Sequence, residues 1–427
     1  MLKRVKKIEN GLKGEIVIPS DKSVSHRAIM FSSISEGECI IKNFSSGADC
    51  HSTLNLFKEL GVDISFIDEK TVKVKSTGVL IPSASSVYDC GNSGTTMRLV
   101  SGILAGQNFN STLIGDESLS KRTMKRIIEP LSLMGADIKS TDGHAPLTIY
   151  GKNLHGISYS SPLASAQVKS SVLLAGLYAQ GVTSYKEIYP SRNHTELMLK
   201  YLGADIEKIN DTTVKIAPSR LTAKDITVVG DISSASFFIV AGLIVKGSDF
   251  VIKNVGLNST RTGIIDIVKR MGGNIEILNK RIEAGEEVGD IRVIYTDNLK
   301  ACEISGEDIP RLIDELPVIA VLASQAEGET VVKNAEDLRN KESDRISSLT
   351  NELKKIGIDI TETQDGFIVR GKKEISGNAE LNSYHDHRLA MSFYIAGLIA
   401  KQEIAIEGFE WTKISFPEFE QLINKLN

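Results

Sequence analysis

Lysines, arginines and carboxylates gather in a few short phrases of this chain, each at or just before a stretch that reads as an apolar helix. The phrases are SDKSVSHR from Ser20 to Arg27, CGNSGTTMR from Cys90 to Arg98, SAQ from Ser165 to Gln167, IDELP with Asp314 and Glu315, and HDHR from His385 to Arg388. Helix N-termini carry unpaired N–H groups and the positive end of the macrodipole, so several of them converging form an anion-binding surface. Lys22, Arg27, Arg98 and Arg388 add formal charge to it. A second set stands in loops: KRTMKR with Lys121 and Arg122, SRNHTE with Arg192, and RNKESDR with Lys341, Glu342 and Arg345. Arginine pairs bidentately with carboxylates and phosphates, whereas lysine acts as a point charge or proton donor. The mixture suits two small substrates carrying both kinds of group.

Each phrase taken alone has a plainer reading. GNSGTT lacks the Gly-Lys-Ser/Thr ending of a P-loop and is by itself a turn entering a helix. The two histidines of HDHR suit capping or a solvated surface better than a metal. KESDR reads as a solvated helix start capped by Ser343 or Asp344, and IDELP as acidic residues favourable near a helix N-terminus. Recurrence is what lifts the set above its parts.

Two longer phrases repeat along the chain and must position these residues. One is an amphipathic run followed by glycine, a short polar residue and a β-branched strand, as in LFKELGVDISF, LSLMGADIKS, LKYLGADIEKI, VKRMGGNIEIL and LKKIGIDITET. Its glycines are Gly61, Gly135, Gly203, Gly272 and Gly357, and a further run, FEQLINKLN, ends the sequence. The spacing predicts these glycines just past helix ends with positive φ. The other phrase, an apolar helix, a turn and a strand, begins at HRAIMF, TMRLVS, QVKSSV, SASFFI, LPVIAV and HRLAMS. Runs such as VLLAGLYA and FFIVAGLIV are apolar on every face, which predicts helices enclosed by other elements. Six copies exceed one core, so the sequence predicts two lobes of three copies each. The crossings fall near Pro19 to Lys22 and near Gly230, giving one lobe from residues 1–20 plus 231–427 and another from residues 21–230.

Composition narrows the function. The 427 residues are 41% hydrophobic and 24% charged, which is globular rather than disordered. With 50 basic and 54 acidic residues the net charge of −4 offers no global field for nucleic acid or anionic membrane, so an anion site must be local. Cys39, Cys50, Cys90 and Cys302 form no CxxC pair and read as reduced, mostly buried thiols. The basic start MLKRVKKIENGLKG reads as a solvated first strand, and the longest apolar run, Phe237 to Val245, is too short to span a bilayer. The expected location is the cytoplasm.

The phrases DKSVSHRA, GNSGTTMR, GDESLSKR, SAQVKSSVLLAGL, SRNHTE, GDISSASFF, IDELP, KESDRI and HDHRLAM occur in an order that resembles the 5-enolpyruvylshikimate-3-phosphate synthases, over nearly the whole chain. The resemblance implies an α/β fold, a two-lobed inverse α/β barrel with three βαβαββ repeats per lobe. It implies transfer of the enolpyruvyl group of phosphoenolpyruvate to the 5-hydroxyl of shikimate 3-phosphate by addition and elimination through a tetrahedral intermediate. Neither metal nor organic cofactor is implied. The partners would be those two small molecules, not nucleic acid or membrane, and the chain would act as a monomer.

The resemblance also assigns residues. Asp314 would accept the hydroxyl proton, while Lys22 and Glu342 would handle the proton at C3 of phosphoenolpyruvate. Lys22, Asn92, Gly94, Arg122, Gln167, Arg345 and Arg388 would hold phosphoenolpyruvate, with Gly94 letting its N–H approach the ligand for want of a Cβ. Lys22, Ser23, Arg27, Ser165, Ala166, Gln167, Arg192, Asp314 and Lys341 would hold shikimate 3-phosphate. Four positions depart from the pattern. Ala166 stands where some members have a second serine, Asp337 where some have asparagine, and Thr123 where proline is common. Ile414 replaces a lysine of some members, leaving Lys413 one position earlier as a phosphoenolpyruvate contact.

Two rival readings are weighed against this. The enolpyruvyl transferases acting on UDP-N-acetylglucosamine pair their early lysine with asparagine and often carry a reactive loop cysteine. Here Ser23 follows Lys22, and the sequence has no cysteine between Cys90 and Cys302. A non-catalytic repeat scaffold would have no use for Asp314 and Glu342 among the cations.

Overall fold

The six apolar phrases fold as six helices, numbered α1 to α6 in chain order: α1 Lys22–Ser33, α2 Gly94–Ala105, α3 Ala166–Gly176, α4 Ile232–Ile244, α5 Leu316–Ala323 and α6 His387–Gly397. They are seen in a computed structural model that describes residues 2–162 and 164–427. Every residue of α4 and α5 is buried, which is why neither has a polar face. Asp21, Ser93, Ser165, Asp231 and Asp386 stand at the N-caps of α1, α2, α3, α4 and α6, and each side chain accepts a first-turn backbone N–H. A helix entering a core must satisfy its first N–H groups there, and this requirement pins the polar phrases to the helix starts.

The chain divides into two compact units, Ser20–Val229 with Ile282–Glu286, and Met1–Pro19 with Gly230–Arg281 and Glu287–Asn427. In the first unit Val87–Asp89 runs parallel to Asn110–Ile114 with α2 as the crossover between them. Asn110–Ile114 then pairs with the hairpin Asp137–Thr141 and His144–Tyr150. Ser158–Ser160, Thr183–Lys186 and the hairpin Ile206–Asn210 and Thr213–Ile216 repeat that arrangement around α3. For α1 the parallel partner of Ser35–Lys42 does not come first in sequence. Leu221–Thr222 and Ile226–Thr227 return from the end of the unit to take its place.

The second unit follows the same plan. Lys13–Val17 pairs parallel with Asp249–Gly256 across α4, Glu303–Ile304 with Glu329–Val332 across α5, and Ala379–Asn382 with Ile404–Glu407 across α6. The last sheet takes its third strand from Leu2–Val5, antiparallel to Ile404–Glu407. Residues 2–17 therefore give two strands to a unit otherwise built beyond Gly230, and the basic start is a strand as its charge pattern predicts. Gly61, Gly135, Gly203, Gly272 and Gly357 end the amphipathic helices at φ of +80°, +95°, +98°, +78° and +90°, a region only glycine enters freely. Cys39, Cys50 and Cys90 are buried and Cys302 partly so. Among the described residues no helix is long and apolar enough to cross a membrane.

Candidate active site

In the unit containing α1 to α3, charged side chains collect at the helix starts. Lys22, in the first turn of α1, pairs with Asp49 at the start of the helix Ala48–Glu59. Burial opposes ionisation of Asp49, but the Lys22 ammonium, with help from Arg122, holds its carboxyl below the usual range. Arg122 donates to Asn92 Oδ1 at 3.0 Å, and Asn92 donates to Asp116 at 2.7 Å. Arg98, one turn into α2, donates to Gln167 Oε1 at 2.7 Å, and the Gln167 amide donates to Thr95 at 3.1 Å. Ser165 caps α3 by accepting from the Val168 N–H, and Ala166 is that helix's first residue.

Gly94 has a structural reason beside the one that the resemblance implies. Its N–H closes a turn onto the Asn92 carbonyl at 3.1 Å. A Cβ there would come within 2.9 Å of Arg98 Nη1, so the glycine keeps room for the guanidinium that holds Gln167. Arg27 is only 3% exposed and donates to Thr195, Ser170 and the Ser23 carbonyl at 2.8, 2.9 and 3.0 Å. Burial pulls its guanidinium down to about 10 against the carboxylates of Glu196, Asp21 and Glu286, while the nearby Arg192 charge adds to the lowering.

In the other unit Arg345 organises a second group. The guanidinium is 1% exposed, donating from Nε to Asp386 at 2.7 Å and from Nη2 to Glu342 at 2.6 Å, with Asp314 3.5 Å from Nη1. Arg388 donates to the Asp314 backbone carbonyl at 3.2 Å. The Glu342 side chain is 41% exposed, and what desolvation it suffers is outweighed by Arg345 first, then His387 and Arg388, which hold the group at about 2. His387 is lowered as well, to about 4, by burial and then by the Arg388 charge, which keeps its ring neutral near pH 7.

Thus Asp314, Glu342, Arg345 and Arg388 lie together, while Lys341 turns instead to Asp337 at 3.0 Å and Lys413 stands exposed on the turn Phe409–Ile414. KESDR is not a solvated helix start, because Arg345 is buried on charged partners, and its cap is Asp344 rather than Ser343. In HDHR the cap is Asp386 rather than either histidine, and His385 stacks on Trp411 with ring centroids 4.7 Å apart. Glu315 of IDELP caps nothing by its side chain; it is fully buried and accepts from Ser233. Sequence reasoning passed over His387, Asp386 and Asp49, and also Lys169, which lies buried between Glu187 at 2.8 Å and Glu196 at 2.9 Å. A lysine in the otherwise apolar VKSSVLLAG stretch was the available sign of that last cluster. Among the described residues no group of three His, Cys, Asp or Glu side chains is placed to hold a metal ion.

A sequence model of the family described as EPSP synthase (3-phosphoshikimate 1-carboxyvinyltransferase) matches residues 6–423. The chain belongs to the EPSP synthase family. It is 52% identical over 417 residues to the 3-phosphoshikimate 1-carboxyvinyltransferase of Thermoanaerobacter sp. (strain X514), covering 97% of this chain and 98% of that one. It is 50% identical over 430 residues to the protein of the same name from Thermodesulfovibrio yellowstonii, covering 100% of both. Its structure resembles that of the EPSP synthase from Acinetobacter baumannii with a TM-score of 0.92 at 43% identity, over 100% of this chain and 98% of that one. The enolpyruvyl transferase NikO from Streptomyces tendae shares the fold, with a TM-score of 0.80 at 18% identity over 100% and 97% of the two chains. The two-unit α/β architecture is that of the family's inverse barrel.

Proposed function

We infer that the chain performs its family's reaction, moving the 1-carboxyvinyl group of phosphoenolpyruvate to the 5-hydroxyl of shikimate 3-phosphate and releasing phosphate, in aromatic amino-acid biosynthesis. The residue roles are our proposal. Residues 21–230 supply Lys22, Asn92, Gly94, Arg122 and Gln167 to the phosphoenolpyruvate phosphate, and Lys22, Ser23, Arg27, Ser165, Ala166, Gln167 and Arg192 to shikimate 3-phosphate. Residues 1–20 and 231–427 supply Arg345 and Arg388 to the phosphoenolpyruvate carboxylate, with Asp314 as base for the 5-hydroxyl and Glu342 beside the reacting C3. Lys341 would reach shikimate 3-phosphate by exchanging its pair with Asp337, and Lys413 stands as a further phosphoenolpyruvate contact. The enzyme would act in the cytoplasm, as a monomer, without a cofactor.

The observation that carries the reading is the surroundings of Arg345. Its Nη1 is buried and has a charge neighbour in Asp314 but no hydrogen-bond acceptor, while Nε and Nη2 are already used by Asp386 and Glu342. A ligand carboxylate supplies the missing acceptor. The same step prepares the chemistry. Glu342 is kept ionised chiefly by Arg345, with Arg388 as a further charge, so an arriving anion that neutralises the arginines raises its proton affinity. Glu342 and Lys22 then handle delivery of a proton to the methylene C3, C2 becomes oxocarbenium-like, and the 5-hydroxyl attacks as Asp314 takes its proton. In the elimination half, C3 returns a proton and the C–O bond to phosphate breaks. Mixing the pure protein with both substrates and following phosphate and enolpyruvyl product tests the assignment; absence of turnover overturns it.

A further inference from the structure

His26 is a buried, titratable side chain for which the reaction has no use. Its ring is 0% exposed in α1, one turn after Lys22. Nδ1 lies 2.7 Å from Thr53 Oγ1, Thr53 Oγ1 lies 2.6 Å from Thr96 Oγ1, and Thr96 Oγ1 donates to Ser93 Oγ at 2.7 Å. Ser93 is the N-cap of α2 and also accepts the Thr96 N–H at 3.1 Å. The chain crosses three helices, α1, Ala48–Glu59 and α2. Lys22 with Asp49 and His26 with Thr53 form two successive rungs between the first two of them.

The polarity of the chain follows from the other ring nitrogen. Nε2 is buried with no hydrogen-bond partner, and a buried N–H without an acceptor is costlier than an empty lone pair. The ring therefore carries its hydrogen on Nδ1 and donates to Thr53, Thr53 donates to Thr96, and Thr96 to Ser93. Burial, then the neighbouring Lys22 and Arg27 charges, push the imidazole to about 3, against the weaker pull of Asp49 and Asp21, so it stays neutral and this polarity persists. Ser93 stands between Asn92, which holds Arg122, and Gly94, which abuts Arg98.

We propose that His26 is a positioning residue for phosphoenolpyruvate: through Thr53 and Thr96 it fixes the Ser93 cap and with it the Asn92–Gly94 turn on which the ligand's phosphate sits. The inference rests on the reading of Asn92, Gly94 and Arg122 as that phosphate subsite. His26→Leu removes the terminal donor, and Thr96→Val cuts the chain next to Ser93 with an isosteric side chain. In both, KM for phosphoenolpyruvate rises roughly tenfold while KM for shikimate 3-phosphate and kcat change less than threefold. His26→Asn, whose amide can place a donor near the Nδ1 position, restores most of the loss.

Thermal unfolding of each variant is measured beside the kinetics. An unchanged phosphoenolpyruvate KM in folded His26→Leu and Thr96→Val overturns the inference. So does a parallel rise in both KM values that merely follows lost stability, or a His26→Asn variant as impaired as His26→Leu. Arg122→Ala separates the two levels. A normal phosphoenolpyruvate KM there overturns the subsite reading and this inference with it, whereas a raised one beside a normal His26→Leu overturns the inference alone.

Discussion

Asp386 serves Arg345 and the start of α6 at once: Oδ2 accepts from Arg345 Nε at 2.7 Å, while Oδ1 accepts the Arg388 N–H at 2.9 Å and a longer bond from Arg345 Nη2 at 3.3 Å. One carboxylate thus orients a buried guanidinium and sets the helix turn that carries the second arginine. Neither residue is exposed beyond 1%.

The two tasks can be separated by mutation. Asp386→Asn keeps a competent cap but loses the charge facing Arg345, so KM for phosphoenolpyruvate should rise about tenfold with a small loss of Tm. Asp386→Ala loses both, and a buried guanidinium deprived of its partner costs about 3–5 kcal/mol. Thermal unfolding and steady-state kinetics on the pair check this.

Phosphoenolpyruvate binding should draw a proton onto Glu342, because Arg345 and Arg388, which help hold it near 2, are the residues we propose for the incoming carboxylate. Calorimetry in buffers of different ionisation enthalpy should report proton uptake growing from about pH 7 toward about pH 5. Glu342→Gln should abolish that uptake and lower kcat by about 10²–10⁴-fold.

Gly94→Ala should displace Arg98, since the new Cβ would meet its Nη1 at 2.9 Å and the first atom to yield is the guanidinium that holds Gln167. The expected phenotype is a folded enzyme with a raised phosphoenolpyruvate KM, checked by kinetics and by a crystal structure showing the Arg98–Gln167 hydrogen bond lengthened. An unchanged KM would count against the subsite.

Stability should fall with acidity well before the carboxylates titrate. His387 is held at about 4 and His26 at about 3 in the folded chain, against about 6.5 when unfolded. Below about 6.5 the unfolded chain binds protons that the folded one refuses, so stability decreases down to the folded values. Glu342, at about 2 when folded, adds a loss of the same sign below about 4.5. Tm measured across this range should slope upward with pH, and His26→Asn should flatten the slope.

The fold class was legible because burial writes itself into sequence. Helices α4 and α5 have no polar face, and the five glycines closing amphipathic helices mark backbone conformations that other residues resist. The cationic phrases were legible as helix starts for a similar local reason, the need for caps. Partner choice was not. Nothing in KESDR says that Arg345 is covered and faces Asp386, more than forty positions away, because that pairing is set by how α6 packs and not by spacing. The same holds for Asp49 opposite Lys22 and for the hydroxyl chain from His26 to Ser93. Gly94 shows a residue for which the structure adds a local reason that spacing does not reveal: its missing side chain makes way for Arg98.

The strands Leu2–Val5 and Lys13–Val17 find their partners only at Ile404–Glu407 and Asp249–Gly256. During synthesis Lys13–Val17 therefore stays unpaired until Asp249–Gly256 is made, and Leu2–Val5 until Ile404–Glu407 is made, while Ser20–Val229 already holds nearly all of its own unit. The sheet that holds Leu2–Val5 must wait for Ile404–Glu407, and a polypeptide cut before that strand would leave an edge open to aggregation.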